Sequence, residues 1–71
     1  MAEEIRAEMV ANVWKVVAKQ GDEITEDDPI VILESMKMEI PVHSEDGGTV
    51  VEIAVNEGDV VQEGDLIARV E

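Results

Sequence analysis

A chain of 71 residues with 45% apolar side chains makes one small domain with a thin core, because folding at this size removes only about 60% of the unfolded chain's surface from water. Cysteine is absent, which excludes disulfides and thiolate metal sites. Eighteen acidic residues against five basic ones give a net charge of −13, which repels phosphate backbones and anionic lipid and argues against nucleic-acid and membrane partners.

In chain order, Met1 to Glu8 is acidic and polar, with neither the basic start nor the apolar run of a secretory signal, so a cytoplasmic location is expected. Val13 to Ala18 alternates and predicts a strand with Trp14, Val16 and Ala18 on the core face and Lys15 opposite. Trp14, the sole aromatic residue, is expected in the core. Gly21-Asp22 marks a turn, and Glu23, Glu26, Asp27 and Asp28 lack calcium-loop spacing and read as a solvated turn. Ile30 to Leu33 is β-branched and strand-like, and it is far too short to cross a bilayer. After Gly47-Gly48, Thr49 to Val55 alternates again, with Val51, Ile53 and Val55 together and Glu52 opposite. Gly58-Asp59 and Gly64-Asp65 give turns before a last strand, Leu66 to Val70. No helical stripe of ten or more residues occurs, so the fold class is all-β.

A shift of 37 residues lays Val13–Asp22 over Val50–Asp59, apolar on apolar and Gly-Asp on Gly-Asp. The register continues through Glu26 on Glu63, Asp28 on Asp65, Ile30 on Ile67 and Glu34 on Glu71. Two copies are too few for a solenoid, but they can close on each other. The expected object is a flattened barrel or sandwich of short strands with an approximate two-fold axis. The segment Ser35-Met36-Lys37-Met38 follows the first copy where the second reaches the chain end, which sets Lys37 away from the termini.

Ile30 to Val42 reads as a hairpin with a two-residue loop, Met36-Lys37. Ser35 then faces Met38, Glu34 faces Glu39, Leu33 faces Ile40 and Val31 faces Val42, with the apolar pairs on one face. Two-residue loops need positive φ and favour Asn-Gly or Asp-Gly, so Met-Lys is a poor choice for stability. Glu34 opposite Glu39 sets like charges across the ladder, and Met36 and Met38 flank a tip expected to be exposed. Local rules broken together at one exposed place point to a functional site, with Lys37 as a modification lysine. A lysine amine in water is protonated at neutral pH, so the base must come from the modifying enzyme. An amide there would leave a long tether that swings between distant sites.

Glu34-Ser35-Met36-Lys37-Met38-Glu39 resembles the Met-Lys-Met signature of biotin carboxyl carrier domains in the biotinyl/lipoyl domain family. The duplicated halves, both Gly-Asp turns and Gly47-Gly48-Thr49-Val50 extend the match over the chain, which looks most like short stand-alone biotin/lipoyl attachment proteins. The resemblance implies a barrel-sandwich hybrid of two four-stranded antiparallel sheets, monomeric in isolation. It also implies biotin linked to Lys37 by a biotin protein ligase, with Glu34, Ser35, Met36, Met38 and Glu39 serving recognition. The arm would carry carboxylate from a biotin carboxylase to a carboxyltransferase, and the chain itself would not be an enzyme. Met36 and Met38 match the positions that help select the biotin ligase, whereas lipoyl domains more usually carry Asp-Lys-Ala. Lipoate remains the alternative cargo, because lipoyl domains share the glycines and Glu34, and an unmodified interaction module is a third reading.

Two departures stand out. Many carriers read Pro-Met-Pro-Gly where this chain has Glu8-Met9-Val10-Ala11, so the bend at Ala11 is expected to be less tight than at its counterpart Gly48. The connection from Val17 to Ile24 leaves no room for the protruding thumb of some carriers. His43, the only histidine, has no nucleophile arranged with it and reads as structural or solvated.

Overall fold

The computed structural model describes residues 2–71. Strands alone make up its regular structure: β1 (Glu3–Arg6), β2 (Ala11–Val16), β3 (Glu23–Ile24), β4 (Pro29–Ser35), β5 (Met38–His43), β6 (Gly48–Ile53), β7 (Val60–Val61) and β8 (Leu66–Val70). They form two antiparallel four-stranded sheets, ordered β1-β8-β6-β3 and β5-β4-β2-β7. The molecule measures 32 × 19 × 18 Å.

The duplication is written into the strand register. Val13 pairs with Leu33 and Lys15 with Ile32, while 37 residues on Val50 pairs with Val70 and Glu52 with Arg69. Ala11 pairs with Val61, and its equivalent Gly48 pairs with Ile24. The repeat also reaches further back than the sequence comparison suggests. Ile40, Pro41 and Val42 pair with Leu33, Ile32 and Val31 as Glu3, Glu4 and Ile5 pair with Val70, Arg69 and Ala68. The copies are thus residues 3–34 and 40–71. Each sheet takes two strands from each copy, so neither copy has a sheet of its own.

The core lies between the sheets and is aliphatic. Ile30, Val31, Val50, Ile67 and Ala68 are fully buried, and Val13 and Val70 nearly so. Val, Ile, Leu and Ala suffice because the sandwich is thin, with short side chains from two inner faces meeting along its length.

The structure corrects one expectation. Trp14 is 47% exposed and outside the core, and its neighbour Val13 is the buried residue. A β-bulge between Val13 and Lys15 inserts Trp14 as an extra residue, which breaks the period of two on which the expectation rested. Lys15 Nζ sits 5.9 Å from the ring centroid. The mate bulge between Val50 and Glu52 has the same effect: Val50 fills the core, and Val51 does not share its depth. Val16, Ala18, Ile53 and Val55 face inward as expected.

The Gly-Asp turns are built alike. Asp22 Oδ2 accepts from Lys19 N at 3.0 Å and Asp59 Oδ2 from Asn56 N at 2.8 Å. Asp28 and Asp65 do the same for Thr25 N and Gln62 N at 2.9 and 2.8 Å, so the acidic run is a capped, solvated turn. Gly48 has φ 138°, and a Cβ there would collide with the Glu71 carbonyl, whereas Ala11 keeps a negative φ. The bend at Ala11 therefore differs from its mate as expected. The loop after β5 is tied to β1: buried Ser44 donates its hydroxyl to Glu3 Oε1 at 2.6 Å and accepts from Gly47 N at 2.9 Å.

The outer face of the first sheet is ionic. Glu4 accepts from Arg6 at 2.9 Å and Arg69 at 3.4 Å, and Arg69 lies 3.7 Å from Glu52. Hydrogen bonds from those guanidinium groups, Arg6 first, lower the Glu4 pKa from its ordinary value. Any contribution from this exposed cluster is present above the ordinary carboxylate range and is lost as pH falls through it.

Candidate functional site

The β4–β5 hairpin has the register that the apolar pairs predict: Ser35 with Met38, Glu34 with Glu39, Leu33 with Ile40 and Val31 with Val42. Leu33 and Val31 are buried, and Ile40 and Val42 pack against the core, so the strands below the tip cannot slip without turning these four side chains outward. That anchorage fixes the tip.

At the tip, Met36 has φ 53° and Lys37 φ 65°, the only positive values among described non-glycine residues. Both lie in the left-handed region, the signature of a type I′ turn, whose twist matches the flanking strands. Neither residue type favours this conformation, and each costs of order 1 kcal/mol there. Burial does not offset the cost: Met36 is 91% exposed and Met38 65% exposed.

Lys37 is exposed and forms no salt bridge among the described residues, although Glu34 and Glu39 lie close along the chain. Glu34 is half-buried and pairs on its other side with Asn12. Ser35 is half-buried at the foot of the turn. The hairpin thus brings all six residues of the motif into one protruding element, with the amine at its apex. Replacing Met36 by Asn, which tolerates φ 53°, is expected to raise stability by about 0.5–1 kcal/mol in thermal unfolding. No gain would mean that the turn is unstrained.

The other lysines differ. Lys15 lies on a strand over Trp14, and Lys19 precedes the Asp22 turn with negative φ. His43 is exposed at the end of an edge strand and belongs to no cluster; among the described residues no group of three or more His, Cys, Asp or Glu could hold a metal ion. Sequence reasoning missed the exposed indole of Trp14, which a bulge hides from any reading of alternation.

The comparisons with known proteins agree with this geometry. Residues 3–70 match the biotin/lipoyl family, described as "Biotin-requiring enzyme". The chain is 56% identical over 68 residues to the biotinylated protein TB7.3 homolog of Mycobacterium leprae, covering 96% of each chain. The fold superposes on a segment of Kluyveromyces lactis urea carboxylase with TM-score 0.92 and 37% identity, covering all of this chain and 6% of that one. It also matches the lipoyl domain of the 2-oxoglutarate dehydrogenase complex from Azotobacter vinelandii, with TM-score 0.76, 28% identity and coverage of 94% and 95%. Two interlocked copies, a lysine at a strained apex and these relatives converge: the chain belongs to the biotin/lipoyl attachment family.

Proposed function

We propose that Lys37 is the attachment point for biotin, joined through its Nζ by a biotin protein ligase. The chain then serves as a non-catalytic carrier that takes carboxylate from a biotin carboxylase to a carboxyltransferase. One observation carries the reading: Met36 and Lys37, the only two non-glycine residues with positive φ among the described residues, form the exposed apex of a hairpin whose base is locked into the core.

The residues fit the group. Attachment needs a nucleophilic amine that an enzyme can reach, free of an acidic partner, on a support that does not fold away. Lys37 is exposed and unpaired, and the buried Leu33 and Val31 hold its hairpin. The amine would attack the carbonyl of a biotin carboxyl that the ligase has activated with ATP as a mixed anhydride with AMP. The amide forms as the bond to AMP breaks and AMP leaves, and the amine's proton passes to a base on the ligase. Bound biotin supplies a ureido nitrogen that accepts carboxylate. The protein's part is to hold the arm's root rigid while leaving its length free.

Biotin is preferred over lipoate because Met36 and Met38 flank the lysine and offer soft apolar contacts to the ligase. The similarity to a lipoyl domain keeps lipoate as the second reading. Intact mass after separate incubation with each ligase, its acid and ATP decides between them. A biotinyl increment alone supports the proposal, a lipoyl increment alone replaces it, and no increment with either returns the chain to an unmodified interaction module. Met36→Ala and Met38→Ala are expected to lower kcat/KM for biotinylation about tenfold while changing stability by less than about 0.5 kcal/mol, since both side chains are exposed. Equal losses in both measurements would make the methionines structural.

A further inference from the structure

The internal duplication supplies its own control. Two sheets with the same strand register should have similar outer faces unless one of them meets something. The outer face of the first sheet carries Val51, Arg69, Glu4 and Glu23, with Arg69 and Glu4 in its ionic cluster. The matching positions on the second sheet, 37 residues away in each case, are Trp14, Ile32, Pro41 and Val60. Three charges are replaced by apolar side chains and Val51 by indole, while Glu52 and Arg6 of the ionic cluster answer to Lys15 and His43, which leave polar side chains beside this apolar patch. Trp14 is 47% exposed and Val60 63%, so the core does not account for them. Ile32, paired with Lys15 and Pro41, is absent from the core cluster that holds its neighbours Val31 and Leu33.

We propose that this outward face, centred on Trp14, is the docking surface for the ligase that modifies Lys37; the proposal rests on the carrier reading above. The face is continuous with the site. Ile32 and Pro41 lie three residues below the Ser35–Met38 pair, about 10 Å at roughly 3.4 Å per residue. A standard protein contact of about 800 Å² per partner has a radius of about 16 Å, so an enzyme seated on Lys37 also covers them. The order of events selects the ligase. Enzymes that work on the loaded arm meet it at the end of a long tether and need not approach the hairpin base. Before attachment there is no tether, and the ligase must bring its active site to Nζ itself.

Charge and area argue against a second copy as the occupant. Each copy carries −13, and a face of four strands, about 19 Å wide and about 20 Å long, covers roughly 400 Å², about half of the roughly 800 Å² per partner of a stable interface. A small apolar face with an indole at its centre suits a brief encounter in which the modified product must leave. The chain's charge and the Glu34–Glu39 pair near its upper edge call for a basic rim on the partner.

The test measures steady-state biotin transfer to the 71-residue chain by purified biotin protein ligase with biotin and ATP. Trp14→Ser is expected to lower kcat/KM at least about tenfold, mainly through KM, with Trp14→Phe recovering to within about threefold of the parent. Val60→Ser should lose a few-fold, while its counterpart on the other sheet, Glu23→Ser, should match the parent. Thermal unfolding is followed for each variant, and if Trp14→Ser does not fold, the Val60 and Glu23 pair decides alone. An unchanged KM in folded Trp14→Ser, or equal losses in Val60→Ser and Glu23→Ser, overturns the docking face while leaving the carrier reading intact. Failure of the parent chain to accept biotin overturns the carrier reading itself.

Discussion

Lys37→Arg is expected to abolish the adduct completely, leaving an intact mass that does not change after incubation with ligase, biotin and ATP. Arginine keeps the positive charge and the length of the side chain, so the turn and the local field are little altered. Its guanidinium is always protonated and offers no nucleophilic lone pair. The thermal midpoint should stay within the equivalent of about 0.5 kcal/mol, because the side chain is exposed and forms no salt bridge. Lys15 and Lys19 remain as internal controls: both are exposed lysines, and neither sits at a turn with positive φ. An adduct that persists in Lys37→Arg would transfer the function to one of them and end the argument from the hairpin apex.

The largest loss of stability should come from the centre of the sandwich. Ile30→Ala and Ile67→Ala are each expected to lose about 2–5 kcal/mol in chemical denaturation, since both side chains are fully buried and the cavity left behind cannot fill. A domain of this size has roughly 4–10 kcal/mol in total, so either substitution removes a large share. The two residues are duplicates, and both lie at breaks in pairing: Pro29 and Val31 pair across the Ile30 irregularity, as Leu66 and Ala68 do across Ile67. Their losses should therefore agree within about 1 kcal/mol. Widely different losses would show that the two halves do not share the core equally. Modification of the folded fraction should be unimpaired, because the cavity is remote from the lysine amine.

The hairpin was legible in the sequence because two independent constraints coincide there. The apolar pairs Leu33/Ile40 and Val31/Val42 set the register, and the register leaves two residues for the loop, which forces positive φ on Met36 and Lys37. The duplication was legible over Val13–Glu34 because glycines, aspartates and core valines recur at fixed spacing. It faded at β1, where Glu3-Glu4-Ile5-Arg6 has one buried apolar residue and its copy Ile40-Pro41-Val42-His43 differs at every position. The edge pairing that makes β1 a strand comes from β8, about 65 residues away, and no local pattern reports it. Strands β3 and β7, two residues each, are too short to alternate. Trp14 was misplaced for a different reason: a bulge after Val13 inserts one extra residue, so alternation counted back from the inward-facing Ala18 and Val16 puts Trp14 on the wrong side.

The residue numbers of the two copies, 3–34 and 40–71, leave a segment that belongs to neither, and it holds Lys37. Two separate half-length chains could pair their strands into both sheets and bury the same core, yet they would have no turn at this place. The tip exists only where the end of one half is spliced to the beginning of the next. Its backbone is therefore exempt from the repeat that governs the rest of the molecule, and on the carrier reading its residues are free to answer to the cargo and to the enzyme that loads it. Lys37 sits on the seam of the duplication.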